Sequence, residues 1–327
     1  MTIATKRRAL LAGAAAILAA PSIARAQGAW PERPIKLVVP FPAGQAADTF
    51  GRLIAERLSA RWKQQIVVEN KGGGAGIPAL ESVAKAPPDG YTLVVGTSGT
   101  IGINPSFMKG QMTYDAIADF APCSNIFQVP LIIVAHPSHP ANSVAELIAQ
   151  AKAAPGKLGY ASAGVGASQH LSMELFKAKA GVDIEHVPYK GSGPAMQDLL
   201  AGHVTLMMDS VTSAIAHIRN GKIKPLGVTT LKRAPLLPDV PAISETVPGF
   251  DAAGWSGILA PAKTPRPIVE KISADMRAEM AVPEVAKRII ELGGIAHPTT
   301  PEEYAAFIKA EIEKWAEVVR ISGAKPG

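Results

Sequence analysis

The sequence predicts an α/β fold with mostly parallel sheets, on three observations. Short apolar runs, suited to strands buried on both faces, alternate with stretches of helical spacing. The strand ends carry small, polar, glycine-bearing elbows. Behind its leader the chain keeps about 300 residues, the length of two domains of ordinary size.

The leader is Met1 to Ala26: Lys6, Arg7 and Arg8, an apolar run from Ala9 to Ala20, then Ala24-Arg25-Ala26 with small residues where a signal peptidase reads. It reads as an export signal cleaved after Ala26, and its apolar run is shorter than the roughly 20 residues of a membrane span. The arginine pair suits a twin-arginine signal or an ordinary positive n-region. With the leader go Lys6, Arg7, Arg8 and Arg25, and the formal charge falls from +6 to +2. A near-neutral mature chain gives no warrant for a nucleic-acid partner. Cys123 is the only cysteine, so no internal disulfide forms and stability comes from packing.

After a lead from Gln27 to Glu32, Ile35, Leu37, Val38 and Val39 form the first strand, ended by Pro40 and Pro42. The elbow Ala43-Gly44-Gln45-Ala46-Ala47-Asp48 follows, then a helix whose buried face is Phe50, Leu53, Ile54, Ala55 and Leu58. Gln65 to Glu69 is the second strand, and Asn70 to Gly76 a glycine loop into a helix through Ala86. Pro87-Pro88-Asp89-Gly90 turns into a strand over Tyr91–Val95 and a small polar loop, Gly96 to Thr100. Phe120 to Ala135 is one long apolar stretch broken at Pro130, read as the crossing point between domains. Ser143 heads a helix over 144–153 with Glu146 at the capping-box position, stopped by Pro155-Gly156. Lys157–Ala161 is a strand feeding Ser162 to His170 and a helix Leu171–Lys179. Ile184–Val187 is a strand, Pro188 to Pro194 a polar loop, Ala195–Ala201 a helix ended by Gly202, and Val204–Met208 a strand into Asp209-Ser210. Ile223–Thr229 is a further strand, and Leu237 to Phe250 a proline-rich connection. Trp255–Ala260 reads as the return strand, followed by helices over Arg266–Met280, Pro283–Leu292 and Pro301–Ser322. The last presents Tyr304, Phe307, Ile308, Ile312, Trp315 and Val319 as a packing face.

The elbows carry the functional reading. Ligands of open α/β sheets sit outside the carboxyl ends of the strands. Gly, Ser and Thr there offer N–H and hydroxyl donors with little bulk, and a helix start favours an anion, so a small carboxylate or phosphate fits. Competing chemistries lack their parts. Ile77 stands where G-x-G-x-x-G needs its third glycine, no Walker A sequence is present, and neither Gly96 to Gly99 nor Gly164 to Ser168 has the spacing of G-x-S-x-G. His170 beside Ser168 reads as a helix-start hydrogen-bonding residue rather than a base. His136 and His139 have no acids or cysteines nearby for a metal.

WPERPIKLVVPFPAGQAAD, VVENKGGGAGI, VAKAPPDGYTL, KLGYASAGVGASQHLSMELF, HVPYKGSGPAMQDLLAGHV, LPDVPAISE and WSGILAPAKTP, in that order, resemble the tripartite tricarboxylate transporter substrate-binding receptors, also called Bordetella uptake gene (Bug) proteins. The resemblance runs through the whole mature chain. It implies a two-lobed periplasmic binding protein of the type II, Venus-flytrap kind, each lobe a mixed, mostly parallel sheet flanked by helices, with no cofactor, no metal and no catalysis. Lobe one would hold 33–128 and 255–327 and lobe two 129–254, with hinge crossings near 126–130 and 252–257. Such a receptor, a monomer, closes on a small di-, tri- or aromatic carboxylate and hands it to membrane permease subunits. Carried over residue by residue, the binding set is Ala43, Gly44, Gln45 and Asp48; Thr97 and Ser98; Ser162, Gly164, Gly166, Ser168 and His170; and Tyr189 and Asp209. Gln45 departs from the family pattern, which has glycine there, and proline where this chain has Ala43. The other functions open to such a chain are a receptor docking on a membrane histidine kinase and a small-acid or ester hydrolase on the same fold.

Overall fold

The computed structural model describes residues 30–326. The export signal, 1–26, lies outside the described residues. From Arg33 on, the strands in chain order are β1 (Ile35–Val39), β2 (Ile66–Asn70), β3 (Thr92–Thr97), β4 (Phe120–Val129), β5 (Leu131–Ala135), β6 (Gly159–Ser162), β7 (Glu185–Pro188), β8 (Leu206–Ser210), β9 (Lys224–Val228), β10 (Gly254–Pro261) and β11 (Ile295–Ala296). They form two sheets, β11-β4-β10-β3-β1-β2 and β7-β6-β8-β5-β9, each flanked by helices as one α/β lobe.

Both sheets are mixed. Parallel pairing joins β1 to β2 and β3, and β6 to β7 and β8. The strands that carry the chain between sheets are antiparallel to their neighbours: β10 with β3 and β4, and β5 with β8 and β9. The sheets are mixed, as expected, and their parallel pairs are those of the βαβ runs. A strand that arrives from the other lobe enters without a crossover helix of its own, and nothing forces it parallel.

The βα units form as their spacing predicts. In α1 (Ala46–Trp62) the residues Ala47, Phe50, Ile54, Ala55 and Leu58 are buried, and Phe50 meets Phe127 of β4 at 3.8 Å between ring centroids. α2 (Ile77–Ala84) packs Leu80 and Val83 into the same lobe. β3 runs two residues beyond its expected end, so Gly96 and Thr97 belong to the strand, and a wide π-type turn over Ser98–Ile103 leads to the short α3 (Asn104–Phe107). In the second lobe α4 (Val144–Ala153) begins on Ser143, whose Oγ accepts from Glu146 N. α5 (Ser168–Ala180) starts three residues earlier than expected, α6 (Ser192–Ala201) ends on Gly202 at φ +77, and α7 (Val211–Arg219) follows β8 directly. The sequence reading assigned no element to α7, whose nine residues make too short a pattern to stand out. α8 (Arg266–Met280), α9 (Pro283–Glu291) and α10 (Pro301–Ser322) close the chain.

α10 joins the two cores. Tyr304 and Ile308 pack with Val94 and Leu259 of the first sheet, while Trp315 and Val318 pack with Leu131, Ile133 and Phe176 of the second lobe. On this face sits one acid that the apolar spacing hides. Glu311 Oε2 accepts from Trp255 Nε1 at 2.6 Å and from Trp315 Nε1 at 2.9 Å, which satisfies two buried indole donors.

Candidate functional site

The carboxyl ends of β1, β3, β6 and β8 and the starts of their following helices face a cleft of about 600 Å³ between the sheets, within the usual size of a small-molecule site. Helices begin at it without a side-chain cap: α1 on Gln45, α5 on Ala167 and α6 on Gly191, and α2 on Gly76, whose second residue is Pro78. Their first-turn N–H groups have no intrahelical partner and stay available to a ligand. Lys190 carries the one formal charge among the described residues lining the cleft.

The first elbow is built around Asp48. Its Oδ2 accepts from Gly44 N at 2.9 Å, and its Oδ1 from Arg52 Nε at 2.9 Å and Asn70 Nδ2 at 2.8 Å. Burial works to raise this carboxyl, but the hydrogen bonds from Arg52, Gly44 and Asn70 outweigh it and hold it below the usual range. Asp48 thus shapes the turn and does not reach the ligand space. The Gln45 side chain lines the cleft, and its Nε2 points at the other lobe, 3.7 Å from where a Cβ on Gly191 would sit. Thr97 and Thr100 cap each other: Thr97 N donates to Thr100 Oγ1 at 3.0 Å and Thr100 N to Thr97 Oγ1 at 3.2 Å, which fixes Thr97 and Ser98 at the cleft floor.

In the second lobe, the loop from Ser162 to Ala167 is held from behind. Gly164 N donates to Ser162 Oγ at 3.1 Å, and the same hydroxyl lies 2.7 Å from His186 Nε2. Gly166 N donates to His170 Nδ1 at 3.1 Å. His170 and His186 stack at 4.0 Å, and burial lowers both to about 4, so both rings are neutral at pH 7 and His170 presents Nδ1 as an acceptor. Gly164 at φ +134 and Gly166 at φ +76 adopt backbone open to glycine. Ser168 Oγ bonds Gln169 Oε1, and His170 Nδ1 is committed to Gly166, so Ser168 and His170 do not pair with each other.

Of the residues expected from sequence, Gln45, Thr97, Ser98, Gly164, Gly166 and Ser168 line the cleft. Ala43 and Gly44 form the exposed outside of the first elbow. Asp48, Ser162 and His170 stand behind the loops and shape them. The Tyr189 hydroxyl turns away to Asp198 Oδ2 at 2.7 Å. Asp209 is wholly buried, its Oδ1 accepting from Ser192 Oγ at 2.7 Å and Ser210 N at 2.8 Å. The cleft also takes in Gly73 to Gly76, Lys190, Ser192, Ser213 and Trp255, which the sequence reading left out. The glycine run over 72–76 was the available signal for the first group. Nothing local marks Trp255, which arrives with the return strand.

Burial raises Asp209 to about 6, offset in part by Ser192, Ser210 and, least, Gln169. From the ordinary 3.8 up to about 6 the folded chain holds a proton that the unfolded chain has released. The carboxyl's contribution to stability is therefore full at low pH and is lost as pH rises through that window, by about 3 kcal/mol at most. Asp209→Asn is expected to gain that much on the wild type between pH 4 and pH 7.5. Urea unfolding at the two pH values measures it, and an unchanged difference would mean that this carboxyl does not titrate as its burial requires.

Among the described residues no group of three or more His, Cys, Asp or Glu is placed to hold a metal ion. Residues 50–323 match the family described as tripartite tricarboxylate transporter family receptor. The UPF0065 protein from the tcbD-tcbE intergenic region of Pseudomonas sp. strain P51 is 40% identical over 317 residues, covering 96% of this chain and 94% of its own. Among solved structures, R. palustris Rpa4515 with adipate superposes with a TM-score of 0.85 at 38% identity, over 91% of this chain and 100% of that one. MatC (Rpa3494) of Rhodopseudomonas palustris with bound malate does so with a TM-score of 0.80 at 33% identity, over 89% of this chain and 100% of that one.

Proposed function

Because the chain belongs to the tripartite tricarboxylate transporter receptor family, we propose that it captures a small carboxylate in its cleft and presents it to membrane permease subunits. The observation that carries the carboxylate is that the uncapped starts of α1 from the first lobe and of α5 and α6 from the second converge on one cleft with Lys190. Unpaired N–H groups and a lysine favour an anion. The adipate and malate of the two solved relatives are anions of this class.

The lobes divide as 33–128 with 255–327, and 129–254. The hinge lies at the crossings 126–130, where β4 passes into β5 through Pro130, and 252–257, where β10 begins. A ligand touching both lobes only when they are closed shifts the population to the closed form, which is the form a permease would read. The ligand contacts are the first-turn N–H groups of α1, α5 and α6, with Gln45, Thr97, Ser98 and Ser168 lining the space. The chain works as a monomer in the periplasm, after cleavage behind Ala26, and makes or breaks no bond.

Thermal unfolding of the mature chain, refolded to remove carried ligand, tests the proposal against mono-, di-, tricarboxylates and aromatic acids. A ligand at about 1,000 times its Kd adds roughly 4 kcal/mol and moves the midpoint by several degrees. A shift confined to one carboxylate class is the expected result. No shift with any carboxylate would overturn the proposal.

A further inference from the structure

Behind the second-lobe wall of the cleft lies a buried carboxylate that the anion reading does not use. Asp209, at the end of β8, is 0% exposed. Its Oδ1 accepts from the Ser192 hydroxyl and from Ser210 N, while its Oδ2 is buried with no hydrogen-bond partner in the described structure. Ser192, which lines the cleft, is also the first residue of α6.

A serine hydroxyl has one proton to donate and two lone pairs to offer. At Ser192 the proton goes to Asp209 at 2.7 Å. Turning it toward a ligand would strip a partner from a buried anion that already has one bare oxygen, a costly exchange. Toward the cleft Ser192 is therefore an acceptor only, with a negative charge behind it. Beside it, the first N–H groups of α6 are donors with no side-chain cap. An acceptor and a set of donors lie side by side.

From this juxtaposition we infer that Ser192, held by Asp209, reads a hydrogen-bond donor on the carbon next to the ligand's carboxylate, so that the cleft selects 2-hydroxy or 2-amino carboxylates over plain ones. The inference rests on the carboxylate reading above and narrows it. A plain carboxylate satisfies the N–H groups of α6 but leaves the lone pairs of Ser192 unmatched or facing another oxygen. A hydroxyl or ammonium group on the adjacent carbon fills that position. A site built around such a group discriminates against the analogue that lacks it, because the acceptor, covered by the ligand, then goes unpaired.

Calorimetric titration of the full mature protein at pH 8, where Asp209 is ionised, tests it with ligands matched in length: succinate, malate and aspartate; glutarate, 2-hydroxyglutarate and glutamate; adipate and 2-aminoadipate. The expected result is that, at the length that binds, a 2-hydroxy or 2-amino acid has a Kd at least about tenfold below its plain partner. Ser192→Ala should bring that ratio to about one. If the variant weakens every ligand equally and keeps the ratio, Ser192 merely supports the start of α6 and the inference fails. Should Ser192→Ala not fold, the wild-type ratio decides by itself. Equal or tighter binding of the plain acids overturns the inference and leaves the receptor reading standing. Binding of none of them overturns the inference, and the receptor reading is then decided by the wider panel of carboxylates above.

Discussion

Gly164→Ala is expected to abolish carboxylate binding, raising Kd at least about a hundredfold, while the chain still folds. Gly164 sits at φ +134, a conformation that L side chains rarely adopt, and a Cβ there would lie 2.8 Å from Tyr189 O. Alanine must therefore move either its own loop or the strand end β7 that the loop is packed on. The local cost is about 1–3 kcal/mol, which a lobe with an intact sheet survives. The cost to binding is larger, since residues 163–168 set the direction of the first N–H groups of α5, and a misplacement of about 1 Å is enough to lose an aligned contact. Calorimetry for binding and thermal melting for stability separate the two effects. Ser168→Ala, which removes only a side-chain hydroxyl, should change Kd by less than about tenfold if backbone donors carry the anion. Wild-type affinity in Gly164→Ala would show that the glycine loop does not position them.

Gly257→Ala is expected to be the most destabilising small substitution in the first lobe. Gly257 lies in the middle of β10, between β3 and β4, where the β4 pairing slips register between Ser256 and Gly257. A Cβ at this place would collide with Tyr304 Oη and Cζ and lie 2.6 Å from Ser124 O. One of these is backbone of the neighbouring strand and cannot rotate away. Overpacking of this kind costs at least about 3 kcal/mol, visible as a lower midpoint in urea unfolding. Tyr304→Phe alone should be neutral or stabilise by about 1 kcal/mol, because the Tyr304 hydroxyl is buried without a partner. The double variant should remain destabilised, since the ring carbon and Ser124 O still oppose the Cβ. A loss below about 1 kcal/mol in Gly257→Ala would mean that β10 can shift away from β4.

The elbows could be read from sequence because each is local. Ile35–Val39 followed by prolines, Gly44 and a helical spacing specifies a strand, a turn and a helix within a few residues, and the structure keeps those bounds closely. His170 was legible for the same reason: its partner, Gly166, is four residues away. Tyr189 and Asp209, both at strand ends, were expected to bind ligand from the family resemblance. A strand end fixes a residue's height in the sheet, while the direction of its side chain depends on partners such as Asp198 and Ser192 that spacing does not reveal.

The α/β class, the order of most elements, the crossing at Pro130 and the run of small polar residues at the strand ends were determined by the sequence itself. All of them follow from turn chemistry and from periods of two and 3.6 residues acting over short stretches. Tertiary structure alone decided that β10 enters antiparallel, that Trp255 and Ser192 reach the cleft, that Gln45 points across it to Gly191, and that Glu311 serves two tryptophans. In each case the partners are far apart in the chain or in different lobes. Only the packing of two sheets against α10 brings them within hydrogen-bonding or van der Waals distance.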